Sequence, residues 1–149
     1  MSIEQAIDNY LSLVLNSEEP LENLDEFIQS LDALSYWVQL AKYQADETNY
    51  DWPPDSDYND VRKIVEKRFP SFGYYNSVVD VSEKIGESEI SIGDAIDDIV
   101  DITGDLLAAK WRFEHTSRDD AIFHLVAEFR SHWGRHLRDV QLYIHDLWW

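Results

Sequence analysis

The chain has 149 residues and no cysteine, so one core can bury roughly 70% of the surface its unfolded form exposes, while disulfides, thiolate metal sites and a cysteine nucleophile are excluded. Twelve basic residues stand against 30 acidic ones, a formal charge of −18; nucleic-acid affinity comes mostly from Lys and Arg displacing counterions, so direct binding to nucleic acid, and equally to an anionic membrane, is not expected. An aromatic content of 13% with six Trp argues against disorder, and no uncharged run approaches the roughly 18 apolar residues of a membrane span.

From the start, Ser2-Ile3-Glu4-Gln5 reads as a capping box that opens a helix with Ile3, Ile7, Tyr10 and Val14 on one face. Acids stand in Met1 to Asn16 where a signal peptide carries Lys or Arg, which points to a cytoplasmic protein. Pro20 suits the first turn of a second helix reaching about Tyr43, with Leu24, Ile28, Leu31, Leu34, Val38 and Ala41 at helical spacing. Glu22, Asp25, Glu26 and Asp32 occupy its other face, giving an acidic helical hairpin. Asp46 to Asp60 breaks the pattern with Pro53-Pro54, six acids and the aromatics Tyr50, Trp52 and Tyr58. A short helix from about Tyr58 to Arg68 follows, and the aromatic and β-branched stretch Phe72 to Val81 is open between strand and helix. Lys84 to Glu89 is a turn around Gly86.

The last third predicts two helices. Ser91-Ile92-Gly93-Asp94 resembles a second capping box, opening a helix to about Phe113. Ser117-Arg118-Asp119-Asp120 caps a final helix that runs nearly to Trp149 and, after so short a connection, lies antiparallel to its predecessor. The expected architecture is therefore all-α: residues 1–149 as a single helical domain, a bundle of about five helices whose second and last two members supply most of the core.

Two kinds of site are consistent with these elements. Up to Asp60 the chain holds 14 acids and one base, Lys42. That field favours a basic protein partner, with Glu22, Asp25, Glu26, Tyr50, Trp52 and Asp55 as the residues that would meet it. A non-enzymatic interaction module, immunity- or adaptor-like and without a cofactor, is the leading expectation; mimicry of nucleic acid by the acidic surface is a further one. Trp148-Trp149 reads as a core cap or, if exposed, a docking anchor.

The alternative is a metal-dependent enzyme. Asp94, Asp97, Asp98, Asp101 and Asp105 fall opposite the apolar face of their helix at about 100° per residue, the geometry of a solvated stripe. His132 and His136, spaced i and i+4, lie at the rim of the last helix. Folding the hairpin about Ser117 sets Asp101 level with His132 and Asp97 level with His136, at ~1.5 Å rise per residue. Two imidazoles and facing carboxylates are a ligand set for a divalent metal; a packed rim histidine bonded to an aspartate is the reading without one. Asp55-x-Asp57-x-Asn59 with Glu66 fits a calcium loop only in part, since Asp60 stands where the loop needs Gly, so Asp55 or Asp57 reads better as a helix cap. Neither a serine nucleophile signature nor a Gly-rich phosphate loop is present.

Asp101-Ile102-Thr103-Gly104-Asp105-Leu106, His132-Trp133-Gly134-Arg135-His136 and the aromatic segment Tyr75-Asn76-Ser77-Val78-Val79-Asp80 resemble a bacterial domain-of-unknown-function family, family 5063. The resemblance is firmest over the last third. It implies a helical domain, brings no known activity, and marks Asp101, Asp105, His132, Trp133 and His136 as positions to test.

Overall fold

The computed structural model describes residues 1–148. Each helix begins at a side chain that satisfies its free amides. Ser2 and Gln5 form the reciprocal box at the start of α1 (Ile3–Leu15). Asn23 caps α2 (Leu24–Leu40), accepting from the Asp25 amide at 3.1 Å, so α2 starts later than Pro20. That proline lies in the connection before it, where the Leu21 amide bonds the Arg68 carbonyl at 2.9 Å. The backbone turns extended at Ala41, which ends α2 short of Tyr43. Asp57 caps α3 (Tyr58–Arg68), and Glu66 pairs with Arg62 at 2.9 Å; these two residues of the partial calcium pattern are thus used by the helix.

Tyr74–Val78 forms a strand, β1, paired antiparallel with β2 (Ile90–Asp94). The capping box expected at Ser91 is therefore absent. Ser91 to Gly93 are sheet residues, and Asp94 alone caps α4 (Ala95–His115), accepting from the Ile96 and Asp97 amides. Between the strands Lys84 and Gly86 take positive φ of 50° and 77°, the left-handed backbone a tight reversal needs.

Ser117 caps α5 (Arg118–Glu128), and the rod continues through a π-helical turn, Phe129–Trp133, into α6 (Gly134–Trp148). Counting α5, the π turn and α6 as one rod, the bundle has five helices among the described residues, with the small ribbon as its only sheet there. No helix among them is long and apolar enough to cross a membrane.

The core is built from all the long helices. α1 buries Ile3, Ala6, Ile7, Tyr10, Leu11 and Val14, as large a share as α2, which corrects the expectation that α2 and the last two helices dominate. Tyr10 is fully buried beside Thr103 of α4, its hydroxyl 3.2 Å from the Thr103 hydroxyl. Arg68, also buried, donates to the Leu13 carbonyl through Nε and Nη2 (3.1 and 2.7 Å) and to the Glu19 carbonyl through Nη1 (2.5 Å). It thereby serves the Leu13 carbonyl, which the end of α1 leaves unpaired, and ties the connection at Glu19 to it.

The segment between α2 and α3 is tied down. The Gln44 amide bonds the Asp119 carboxylate at 3.0 Å, and Asp46 accepts from the Ser117 hydroxyl. The Ser117 bond is the first of several that hold the Asp46 carboxyl well below the usual carboxylate range. Trp52 lies under the Arg112 guanidinium, 5.0 Å from the ring centroid, and Arg112 is itself buried and 3.3 Å from Asp120. A cation over an indole face, desolvated on its other side, anchors the loop along α4.

Candidate metal centre

The centre forms where α4 faces the π turn and α6. Leu125 and Trp133 are both in the core, 1% and 0% exposed, yet eight residues separate them, which on a regular helix places them roughly 80° apart. The wide π turn takes up the extra residue. The Trp133 indole N–H then reaches back to the Leu125 carbonyl at 3.2 Å. Gly134 closes the turn by donating its N–H to the Phe129 carbonyl. A Cβ there would stand 2.1 Å from that oxygen and 2.9 Å from the Phe129 ring, so the turn requires glycine. His132 sits within the turn and His136 just beyond it, their rings 4.9 Å apart.

Each imidazole is held by a carboxylate of α4. His132 Nδ1 lies 2.7 Å from Asp105 Oδ2, and His136 Nδ1 lies 2.6 Å from Asp98 Oδ1. His136 Nε2 turns to Asp101 Oδ2 at 3.3 Å. One ligand atom from each of Asp101, His132 and His136 lies within 4.8 Å of the others. The hydrogen bond that His136 donates to Asp98 is the main cause of a raised pKa at His136. Burial raises that of Asp101, against the opposing pull of His136.

Asp98 is anchored in turn. Its other oxygen accepts from the Tyr75 hydroxyl at 2.5 Å, and burial, then the hydrogen bond to Asp98, drives the Tyr75 pKa upward, so the phenol stays a donor. Tyr75 reaches Asp98 across β2 because its ring passes over Gly93, its direct partner in the ribbon. A Cβ on Gly93 would fall 2.2 Å from that ring.

Three of the four residues expected to bind metal, Asp101, His132 and His136, come together. Asp97 does not: it accepts from the Tyr58 hydroxyl and lies 3.9 Å from Arg62. The carboxylate stripe is not a solvated face either, because α3 covers one flank and α6 the other; Asp98 is only 5% exposed. Sequence reasoning had no role for Tyr75, because the β2 partner that points it inward was not visible.

Asp101, Asp105 and His132 also line a cleft of about 580 Å³. Pro53, Pro54 and Ser56 of the tied loop line it too, with Leu107 and Trp111 of α4. Among the residues proposed to meet a partner, Glu22, Asp25, Glu26 and Asp55 are exposed, Tyr50 donates to Asp46 at 3.0 Å, and Trp52 is engaged by Arg112 and by the edge of His124. Trp148 is half-exposed beside Phe72; its neighbour Trp149 lies outside the described residues.

The family model described as a domain of unknown function (DUF5063) matches residues 3–148, and the chain belongs to that family. No curated protein matches it. Among solved structures it is similar to protein BF1032 from Bacteroides fragilis, a structural genomics target, at 13% identity and a TM-score of 0.76 over 99% of this chain and 90% of that one. At that identity the likeness extends to the fold.

Proposed function

We propose that this member of the family is a metal-dependent protein in which Asp101, His132 and His136 hold one divalent first-row metal beside the cleft. The observation that carries the reading is that each imidazole gives Nδ1 to its own carboxylate, Asp105 for His132 and Asp98 for His136. Such a bond fixes the tautomer and leaves Nε2 as the donor, which is how metal-ligating histidines are oriented. Two nitrogens and one oxygen suit Zn²⁺, Fe²⁺ or Mn²⁺ better than Mg²⁺ or Ca²⁺. Three protein ligands leave a position for water or a substrate oxygen, the arrangement of catalytic rather than structural sites. A metal held by Asp101, His132 and His136 would supply activation of water as a nucleophile near neutral pH. The substrate would lie in the cleft that Trp111 and Pro53-Pro54 help to line.

The test is a thermal melt of chelator-treated protein with Zn²⁺, Mn²⁺ or Fe²⁺ added back, alongside calorimetric titration. A metal at a hundredfold over its Kd adds about 2.7 kcal/mol of stability, a rise of about 5–10 °C for a chain this size. His132→Ala and Asp101→Asn should remove that rise. Asp98→Asn, which alters only the support of His136, should weaken the metal by about 10–100-fold. A rise that survives His132→Ala would refute the site.

A second reading is that the acidic first part of the chain engages a basic protein. It is favoured by Glu22, Asp25 and Glu26, which form no ion pair among the described residues. Association of that kind weakens steeply with salt; pull-down from nuclease-treated lysate with a salt-wash series tests it, and salt-insensitive capture would oppose it.

A further inference from the structure

Acids outnumber bases 30 to 12 in this chain, so an exposed base readily finds a carboxylate. Lys67 takes Glu18, Lys110 takes Asp8 and Arg118 takes Glu4. Arg130 and Arg138 are both exposed, yet neither forms an ion pair among the described residues. The polar partner of Arg138 is the neutral Gln141 amide oxygen, at 3.2 Å, and its guanidinium stands over the Phe129 ring, 6.0 Å from the centroid.

The π turn brings these cations to one side. On a regular helix, residues 130, 135 and 138 would spread over roughly 140°. The extra residue of the π turn sets everything beyond it back by about 100°. Arg130, Arg135 and Arg138 then fall within roughly 60° of one direction. All three line a groove of about 600 Å³ between the end of α2 and the rod, together with the apolar side chains of Val38, Val126 and Phe129. No carboxylate lines it. Arg135 is offset by Asp139 at 2.8 Å, which leaves two guanidinium charges without a counter-charge.

We propose that this groove binds a small phosphomonoester with an apolar or aromatic body. Its volume is that of a small-molecule site. Two uncompensated guanidinium groups match a dianion, and a phosphomonoester is one above its second pKa of about 6. The planar fork of arginine fits phosphate oxygens in pairs. Val38, Val126 and Phe129 beside the cations receive a body that inorganic phosphate lacks. The net charge of the chain does not oppose this, because exposed acids more than about 8 Å away are largely screened at physiological salt. The groove faces α2, whereas the imidazoles of His132 and His136 face the carboxylates of α4, so the two sites are separate.

The experiment is a titration of the full chain with phenyl phosphate at about pH 7.5, followed by calorimetry and by amide chemical shifts. Inorganic phosphate, benzoate and a hexaglutamate peptide are the comparison ligands. The expected result is a Kd of about 1 mM or below, shifts of the Val38 and Gly134 amides, and tighter binding than any comparison ligand. Arg130→Gln/Arg138→Gln should weaken phenyl phosphate by about tenfold or more. Both side chains are exposed, so a far-UV spectrum and melt like the wild type are expected of the variant. No shift up to about 10 mM, or binding that the variant leaves intact, overturns the proposal. So does a comparison ligand that binds as tightly: inorganic phosphate would mean a bare anion contact, and hexaglutamate an acidic protein segment. Binding lost with His132→Ala but kept in the arginine variant would place phenyl phosphate on the metal, which overturns the groove and leaves the metal site standing.

Discussion

Replacing Gly134 by alanine inverts a rule. In a helix interior Gly→Ala ordinarily stabilises by roughly 0.5–1 kcal/mol, because alanine loses less backbone entropy. At Gly134 the new Cβ meets the Phe129 carbonyl at 2.1 Å and the Phe129 ring at 2.9 Å. A van der Waals contact needs more than an ångström of extra room there. The carbonyl is held by the Gly134 N–H itself, so relief means giving up that bond, about 1 kcal/mol, and repacking Phe129 against Trp133, about 1–3 kcal/mol. Set against the propensity gain, the net loss is about 1–3 kcal/mol, or about 3–10 °C in Tm for a domain of this length. The variant also moves the site. If the π turn relaxes to a regular helix, the residues on one side of it rotate by about 100° relative to the other. His132 then parts from Asp105, while His136, beyond the turn, keeps Asp98. Melts with and without added Zn²⁺ read both effects: a lower metal-free Tm and a lost metal increment. A Gly134→Ala protein that melts higher than wild type, or keeps the full increment, would refute the reasoning.

Two further substitutions test the frame around the site. Arg68→Met keeps the buried stem but leaves the Leu13 and Glu19 carbonyls without their donor, so urea unfolding should show a loss of about 2–4 kcal/mol; a loss below about 1 kcal/mol would mean that water replaces the guanidinium. His124 is held below its ordinary 6.5 first by burial and then by the Arg112 charge, against the pull of Asp120. A histidine that resists its proton in the folded chain contributes stability above its unfolded pKa, and that stability is lost as pH falls through it. Wild type should therefore lose more stability on acidification below about pH 6.5 than His124→Gln, and its His124 proton resonance should titrate below 6.5; equal slopes would argue against the shift.

The helices were legible because their signals are local. Ser2 with Gln5, Asp57 and Ser117 each stand where a side chain must meet a free amide, and the apolar spacing of Ile3 to Val14 or Leu24 to Val38 needs no partner to be read. β2 was hidden for a complementary reason. Ser91-Ile92-Gly93-Asp94 carries a serine before an acid three residues on, the pattern of a capping box, and nothing local shows that Ser91 pairs with Ser77 across a turn of eleven residues. The π turn was hidden as well. Val126 and Trp133 are seven apart and fit an unbroken helix; only the simultaneous burial of Leu125 requires the extra residue.

The same two features explain which part of the site was legible. The pairing expected on a straight hairpin set Asp101 beside His132 and Asp97 beside His136. The structure sets Asp105 beside His132 and Asp101 beside His136, so both pairings have slipped by four residues along α4. α4 runs to His115 rather than Phe113, and the π turn holds a residue that adds little advance along the axis; these three residues, about 4.5 Å at 1.5 Å each, account for most of the slip. A slip of one turn does not empty the site, because aspartates recur on α4 at 94, 97, 98, 101 and 105 and a carboxylate again falls opposite each imidazole. It changes which carboxylate does what. Asp101 passes from His132 to His136, Asp105 takes up His132, and Asp97 drops out toward Tyr58 and Arg62. Asp98, three residues before Asp101 and so on the same face, becomes the buried anchor. A periodic stripe facing a histidine pair thus makes the composition of a candidate centre predictable before its wiring is, and the wiring, set by the end of one helix and a single wide turn in the next, decides which aspartates hold the imidazole Nδ1 atoms and which one stands beside the pair.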